Sequence, residues 1–460
     1  MRIVVVGVGY VGLVSAACLA HLGHRVVAVD SDAARIAALD AGGMPFFEPG
    51  LQPLVAAGRA SGALRFATQL DEAALDAELL FLAVGTPCGN DGSADLRAVE
   101  AAFAAALRAL RPPATLVLKS TVPVGTHERL RRRLAASDET RGIALVNNPE
   151  FLREGSAVRD FLRPDRIIVG ADDEADAQAL LRAYAPLTDA GATLLRMNPR
   201  SAELAKYAAN GMLAARISFI NEIAQIADAT GADIEEVRAG VGSDPRIGAD
   251  FLRAGIGYGG SCFPKDVRSL IHQAGAHGLP AHMLRAVDAT NEQQRALLFE
   301  RIAAFYGGEA ALAGRRIALW GLAFKPGTDD LREAPSLAVL DRLLRAGAQV
   351  SAYDPVALPA AQRLLDAPGL RWCHTAAAAL DGADALAIAT EWGEFSAAEP
   401  AGVAAALHDA AVFDGRNCVP ADAWRAAGLR VMQVGRPAAG EVPAGAAQRR
   451  RPNWNNSTMP

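Results

Sequence analysis

The chain is predicted to form two doubly wound α/β domains joined by a long central helix. Three observations carry this. The chain opens with a buried-strand pattern, a glycine-rich turn, a helical stretch and a second strand. The same plan returns after Gly314. Between the two, Ser201 to Thr230 runs without proline and with a single internal glycine, Gly211. Strands alternating with helices give a mostly parallel sheet covered on both faces.

Ile3-Val4-Val5-Val6 is an apolar, β-branched run, as expected for a fully buried strand. Gly7-Val8-Gly9-Tyr10-Val11-Gly12 follows, then a helical stretch to about Leu22 that Gly23 ends. Arg25 to Val29 is a second strand closing on Asp30. In this arrangement Gly7 allows the turn, Gly9 lets backbone approach a pyrophosphate, and Gly12 permits close helix–strand packing. Free amides and the helix dipole hold the phosphates. Asp30, 18 residues past Gly12, is placed to accept a ribose 2′-hydroxyl. A 2′-phosphate would meet that carboxylate, so the pattern favours NAD over NADP. This is a Rossmann-type dinucleotide site.

Leu79 to Val84 is a strand ending in Gly85-Thr86-Pro87, and residues 95–110 form an alanine-rich helix. Thr115 to Lys119 is a strand ending in Ser120-Thr121-Val122-Pro123. Ala144 to Val146 leads into Asn147-Asn148-Pro149-Glu150-Phe151-Leu152-Arg153-Glu154-Gly155. Polar residues thus collect just past strand ends, where ligands bind in open α/β sheets.

The stretch 201–230 makes a helix of roughly 45 Å at 1.5 Å per residue, with Gly231 as its stop. Its mixed apolar faces also suit a dimer seam. Glu203, Lys206 and Asn210 share one face, read either as a solvated charged surface or as part of a site. Further helix is expected at 233–240 and about 279–306. Between them lies Gly255-Ile256-Gly257-Tyr258-Gly259-Gly260-Ser261-Cys262-Phe263-Pro264-Lys265-Asp266, with a helix from Asp266 to Ala274. Glycines let a loop lie against a ligand. A thiol before a helix N-terminus, with Lys265 beside it, has two reasons to ionise. Cys262 is therefore either a reactive nucleophile or a small buried residue in a glycine turn.

The third region repeats the opening plan. Arg316 to Trp320 is a strand ending in Gly321-Leu322-Ala323-Phe324-Lys325, and Leu337 to Ala346 is a helix. Gln349 to Tyr353 is a strand closing on Asp354. Ala385 to Ala389 and Ala411 to Phe413 are later strands, the last ending in Asp414-Gly415-Arg416-Asn417. Without a full G-x-G-x-x-G, a second nucleotide would be held by different contacts.

Composition narrows the class. Hydrophobic residues are 51% of 460, so the chain is globular. A net charge of −5 gives no general attraction to nucleic acid or anionic membranes. Five scattered cysteines suit a reducing compartment, and no apolar run reaches transmembrane length. The expectation is a soluble cytoplasmic protein. Eight histidines form no cluster, so no metal site is expected.

Taken together, these segments resemble the nucleotide-sugar dehydrogenases, the UDP-glucose/GDP-mannose dehydrogenase family. The matching stretches are GVGYVG, VGTP, STVPVGT, NPEFLREG with FLRPDRIIVG, ELAKYAAN, GIGYGGSCFPKD, GLAFKPGTDDLREAPS and DGRN, in family order over about residues 1–420. The resemblance implies oxidation of the 6-hydroxymethyl group of a nucleotide-linked hexose to a carboxylate with two NAD⁺. The SCFPKD and FKPGTDD forms favour UDP-glucose over acetamido sugars, with GDP-mannose as the alternative. It implies an NAD-binding domain at 1–200, a central helical dimerisation domain at 201–305 and a UDP-sugar-binding domain at 306–436. Residues 437–460 are expected to be a disordered tail. A homodimer is expected.

The resemblance also assigns roles. Cys262 matches the nucleophile, Lys206 the oxyanion-stabilising cation and Asn210 its hydrogen-bonding neighbour. Asp266 matches a residue that positions or deprotonates water, Glu150 the base for thioester hydrolysis, and Thr121 the holder of a catalytic water. The implied cofactor residues are Gly7, Gly9, Val11, Gly12, Asp30, Arg35, Thr86, Thr121, Glu154, Lys265 and Arg332. Arg35 stands where relatives usually carry Lys. The implied substrate residues begin with Glu150, Phe151, Leu152, Arg153, Glu154, Lys206 and Asn210. Phe251, Leu252, Arg253, Ala254, Gly255, Gly259, Lys325 and Arg416 complete them within the chain. Phe251 occupies a position where tyrosine is also common. Arg246 resembles an arginine that reaches the substrate across the dimer.

Overall fold

The computed structural model describes residues 1–436 apart from 71–73, 75 and 137. The expected tail lies outside the described residues. The first sheet contains β1 (Arg2–Val6), β2 (Arg25–Val29), β3 (Leu64–Ala67), β4 (Leu79–Leu82), β5 (Ala114–Leu118), β6 (Ile143–Asn147), β7 (Arg166–Gly170) and β8 (Thr193–Met197). Their spatial order is β3-β2-β1-β4-β5-β6-β7-β8. Ile3 of β1 lies opposite both Val26 of β2 and Leu79 of β4. The chain order reverses there, which opens a crevice at the strands' carboxyl ends. β7 meets β6 antiparallel, through the pair Asn147 and Gly170, so the sheet is not wholly parallel.

The second sheet contains β9 (Arg316–Trp320), β10 (Gln349–Tyr353), β11 (Leu370–Trp372), β12 (Ala385–Ile388), β13 (Ala411–Asp414) and β14 (Arg430–Gln433). Its order, β11-β10-β9-β12-β13-β14, repeats the first plan with every pairing parallel. Sequence patterning does not reveal β3, β8, β11 or β14. Each is three to five residues long and carries exposed positions, so alternation has little length in which to show.

The long helix spans Pro199–Thr230, 32 residues. The Asn198 side chain caps it by accepting from the Ser201 amide, Pro199 sits in its first turn, and Gly231 stops it with φ at +82°. The expected single helix over 279–306 is instead two, His282–Gln294 and Leu297–Phe305. The break redirects the chain. Leu298, Phe299 and Ile302 after it join the core beneath the second sheet. The helix after the cysteine begins earlier than expected and runs Phe263–Ala276, with Pro264 in its first turn. No helix of the described residues is long and apolar enough to cross a membrane.

Candidate active site

The first βαβ unit is a dinucleotide cradle. Gly7 has φ at +95°, and a Cβ on Gly12 would lie 1.7 Å from the Gly7 carbonyl oxygen. Beside Gly9 there is open space where a Cβ would sit, so backbone amides face outward at the start of the helix Tyr10–His21. Asp30 accepts from the Val8 amide at 2.7 Å and from Arg35 at 2.9 Å. The arginine thus lies beside the carboxylate at the end of β2. Thr86 donates its hydroxyl to the Thr121 carbonyl at 2.8 Å, which ties the ends of β4 and β5 together. These residues fit NAD: a side-chain-free phosphate cradle with a carboxylate at the neighbouring strand end.

The second sheet has an acid at the corresponding place, Asp354 after β10, but it is already engaged. It accepts from the amides of Leu322, Ala323, Val356 and Ala357 and from the Trp392 indole. That carboxylate holds the loop and has little capacity left for a ribose.

Between the domains lies a buried charged cluster. Lys206, from the long helix, places its ammonium 3.1 Å from a Glu150 carboxylate oxygen, and both side chains are almost wholly excluded from solvent. It also lies 5.3 Å from the centre of the Phe151 ring. Burial raises Glu150 toward neutrality, but the Lys206 ammonium and the Leu152 amide outweigh it and hold the carboxyl below its usual range. Burial likewise works against charge on Lys206, and Glu150, Cys262 and Asp266 together keep it above the ordinary lysine value. One turn on, Asn210 donates to Asp266 at 2.6 Å, and Lys265 salt-bridges the other Asp266 oxygen. Lys206 and Asn210 therefore face a buried polar cluster, not solvent. Glu203 is not part of it: its carboxylate caps the helix Thr126–Leu134 by accepting from the Gly125 and His127 amides.

Cys262 sits at the N-cap of its helix, 3.6 Å from the Ser261 hydroxyl. The surroundings of Cys262 work against the expected easily ionised thiol. Burial pushes the thiol up, Glu150 and Asp266 add to this, and Lys206 and Lys265 only partly offset it. Two carboxylates come with the two lysines, and local sequence shows only one member of each pair.

The glycines of the loop turn the chain, with φ at +91° for Gly257 and +83° for Gly260, and they have a further cause. A Cβ on Gly259 would lie 2.3 Å from the Glu333 carbonyl oxygen, and one on Gly260 2.7 Å from the Phe324 ring. The Gly260 amide donates to the Arg332 carbonyl at 2.8 Å. The loop is small because the second domain presses on it. Arg416 closes the same junction, donating to the Gly257 carbonyl at 2.9 Å and the Ala389 carbonyl at 2.9 Å.

Glu154 is the hub between domains. It accepts from Ser261 at 3.1 Å and from Thr328 at 3.0 Å, with Arg332 at 3.6 Å. Burial, then the Asp330 carboxylate, raises its carboxyl to about 7 against the pull of Arg332. Lys325 is half-buried above the Phe324 ring and makes no ion pair among the described residues. Phe251 has φ at +61° and packs on Phe263. Leu252 and Ala254 are buried beside it. Arg153 pairs with Asp160 and Arg253 is exposed. Arg246 is exposed and pairs with Asp244 in its own chain, with no contact to the cluster.

Several supports were not visible in the sequence. Asn221 accepts from the Gly255 amide, Gln294 donates to its carbonyl, and Asn291 bonds both backbone groups of Tyr258. Arg216 holds the carbonyls of Ile247, Gly248 and Asp250. Glu48 accepts from Tyr10 and from the Gly155 and Ala157 amides, joining the nucleotide helix to the Glu150–Gly155 loop. The one signal of the four helical residues is a polar side chain among apolar ones, and Glu48, in a loop, gives none.

A dinucleotide cradle in one sheet, a second parallel sheet, and a cysteine with paired lysines and carboxylates at their junction define an NAD-dependent dehydrogenase. Family models agree over most of the chain. Residues 1–188 match the NAD-binding domain of the UDP-glucose/GDP-mannose dehydrogenase family, 200–293 its central domain and 318–421 its UDP-binding domain. The chain belongs to that family. It is 47% identical over 455 residues to a UDP-glucose 6-dehydrogenase of Pseudomonas aeruginosa, covering 97% of this chain and all of the relative. It is 42% identical to one from Rhizobium meliloti, over 95% of this chain and all of that one. A solved UDP-glucose dehydrogenase from the archaeon Pyrobaculum islandicum superposes with a TM-score of 0.83 at 40% identity, covering 92% of this chain and 95% of that one.

Proposed function

We propose that the protein oxidises the 6-hydroxymethyl group of UDP-glucose to the carboxylate of UDP-glucuronate, through a thiohemiacetal and a thioester on Cys262. The observation that carries this reading is the buried set of Lys206, Glu150, Asn210 and Asp266 around the cysteine, at the junction with a domain of the UDP-binding type. Bound NAD⁺ supplies the hydride acceptor for both oxidations. The cradle of Gly7, Gly9, Val11 and Gly12 would hold it, with Asp30 and Arg35 at the ribose.

The residues divide the work as follows. The alcohol loses its proton to a base as its carbon is oxidised to the aldehyde. The Cys262 sulfur then adds to the carbonyl carbon: a C–S bond forms, the thiol proton passes to a neighbouring carboxylate, and the oxygen becomes an oxyanion. Lys206 is the cation aimed at that oxyanion. Loss of the second hydride converts the thiohemiacetal to a thioester. Water, held by Thr121 and deprotonated by Glu150, adds to the thioester, the C–S bond breaks, and the thiol is restored. Asp266, fixed between Asn210 and Lys265, orients water at the same centre. Lys325, a cation with no ion pair among the described residues, suits the diphosphate, and Arg416 beside it fixes the loop the sugar would lie on.

The reading includes a homodimer. Leu204, Met212, Phe219 and Ile226 are exposed along the long helix at near-heptad spacing, which supports a seam there. A partner seated on it would give the exposed Arg246 something to reach. The decisive experiment is NADH stoichiometry on a panel of nucleotide sugars, with mass determination in solution. Two NADH per UDP-glucose from a dimer is the expected result. Turnover of GDP-mannose but not UDP-glucose, or one NADH per sugar, overturns it.

A further inference from the structure

Lys119 directly follows β5 and is 4% exposed, yet among the described residues no carboxylate lies in contact with it. Its ammonium donates to the Asn148 side-chain oxygen at 2.9 Å, with the Asn148 carbonyl at 3.5 Å. It lies 5.9 Å from the centre of the Phe161 ring and 6.0 Å from that of Tyr184. The Tyr184 hydroxyl donates to the same Asn148 oxygen at 2.7 Å, and the Asn148 amide donates to the Ile168 carbonyl at 2.9 Å. Asn148 is thus held on three sides. Two residues on, past the stiff Pro149, is Glu150.

A buried ammonium without an ion pair is costly, and a neutral side chain of the same length would fill the space. A role for the charge must therefore be sought nearby. We propose that Lys119 is a positioning residue for the hydrolytic step: by fixing the Asn148–Pro149 corner and adding a second positive charge to the cluster, it holds the Glu150 carboxylate aimed beside Lys206. This rests on the reading of Glu150 as the hydrolytic base. The charge balance agrees. Lys119 adds to the lysine field that keeps Glu150 below its usual range, and burial brings Lys119 itself down to about 8 while Glu150 pulls it back up. The groups facing Lys119 are Glu150, Lys206 from the long helix and Tyr184 from the helix Glu174–Asp189. A cavity of about 120 Å³ beside them is also lined by Asp160, Asp165, Arg153, Arg159, Arg163 and Arg166.

The test compares Lys119→Met, Lys119→Arg and Glu150→Gln in the full chain with NAD⁺ and UDP-glucose. It reads kcat, KM, the pH profile of kcat, melting temperature and the mass of protein quenched during turnover. Lys119→Met is expected to lower kcat on the order of 10- to 100-fold, as misplacement of a reacting group does. KM for UDP-glucose should stay within about threefold, a sugar adduct should build up on Cys262, and the acid limb of the pH profile should move upward. Lys119→Arg should recover part of kcat by keeping the charge. An adduct in Glu150→Gln but not in Lys119→Met, with kcat unchanged and only the melting temperature lowered, overturns the role of Lys119 alone. An adduct in neither variant overturns the hydrolytic role of Glu150 and the proposal with it. If Lys119→Met fails to fold, Lys119→Gln decides, since it keeps a donor for Asn148 and removes the charge: a pH profile and kcat identical to the parent, with no adduct, overturn the proposal.

Discussion

The Lys206 ammonium and the Glu150 carboxylate meet at 3.1 Å with both side chains nearly sealed from water. Each keeps the other charged in a place where burial alone would neutralise both. Removing one partner leaves an uncompensated buried charge, which typically costs 3–5 kcal/mol, roughly. Lys206→Met should therefore lower the melting temperature and reduce kcat by about 10²–10³-fold, the range for loss of an oxyanion donor. The double variant Lys206→Met with Glu150→Gln should recover the melting temperature but not kcat. Thermal melts and initial rates check this, and a double variant no more stable than the single one refutes the coupling.

Cys262 should behave as a hindered thiol in the ligand-free protein. Burial and the Glu150 carboxylate raise it, so the thiolate forms only above the ordinary cysteine range. The rate of iodoacetamide modification at Cys262, followed against pH by mass spectrometry, should have a midpoint above that of a free thiol. Glu150→Gln should move the midpoint down, and Lys206→Met should move it up. A parent midpoint at or below the ordinary thiol value contradicts the burial argument.

Gly259 has no room for a side chain, since a Cβ would sit 2.3 Å from the Glu333 carbonyl oxygen. Backbone, not a flexible side chain, must yield. Gly259→Ala should destabilise the chain by about 1–3 kcal/mol, the usual range for overpacking. It should also disturb the junction that Arg416 and Gly257 share, raising KM for the sugar nucleotide. Gly9→Ala tests the contrast, because a Cβ there meets nothing within 4 Å. It should leave stability nearly unchanged while weakening NAD⁺ binding.

Glu154 makes stability depend on pH. Its carboxyl is raised to about 7, mainly by burial, from an ordinary value of 4.5. Between those values the folded chain binds more protons at this site than the unfolded chain does. The stabilising contribution is therefore complete below about pH 4.5 and is lost as pH rises through 7. Glu154→Gln should flatten the melting temperature over pH 5 to 8, with its largest gain over the parent at the alkaline end. Equal slopes for parent and variant would remove Glu154 as the titrating group.

How much of this was legible in the chain varies by element. The nucleotide cradle was, because its glycines, helix and Asp30 are all local: φ at Gly7 and the 1.7 Å approach at Gly12 are consequences of one βαβ unit. The long helix was legible for the same reason, with Gly231 as its stop. The antiparallel β7 and the break between Gln294 and Leu297 were not. Both depend on where the chain must go next, not on the residues that turn.

The sequence by itself determined the fold class, the dinucleotide cradle and the residue types of the site. These follow from short-range periodicity and turn chemistry, which are encoded within a few residues. The tertiary structure decided what those residues do to one another. It brought Glu150 to Lys206 and Asn210 to Asp266, each across 56 positions of chain. It turned the loop glycines toward the second domain and raised the Cys262 thiol instead of lowering it. Electrostatic energy and burial depend on distance in space, so neighbours far apart in the chain set them, and no local reading of the sequence contains that sum.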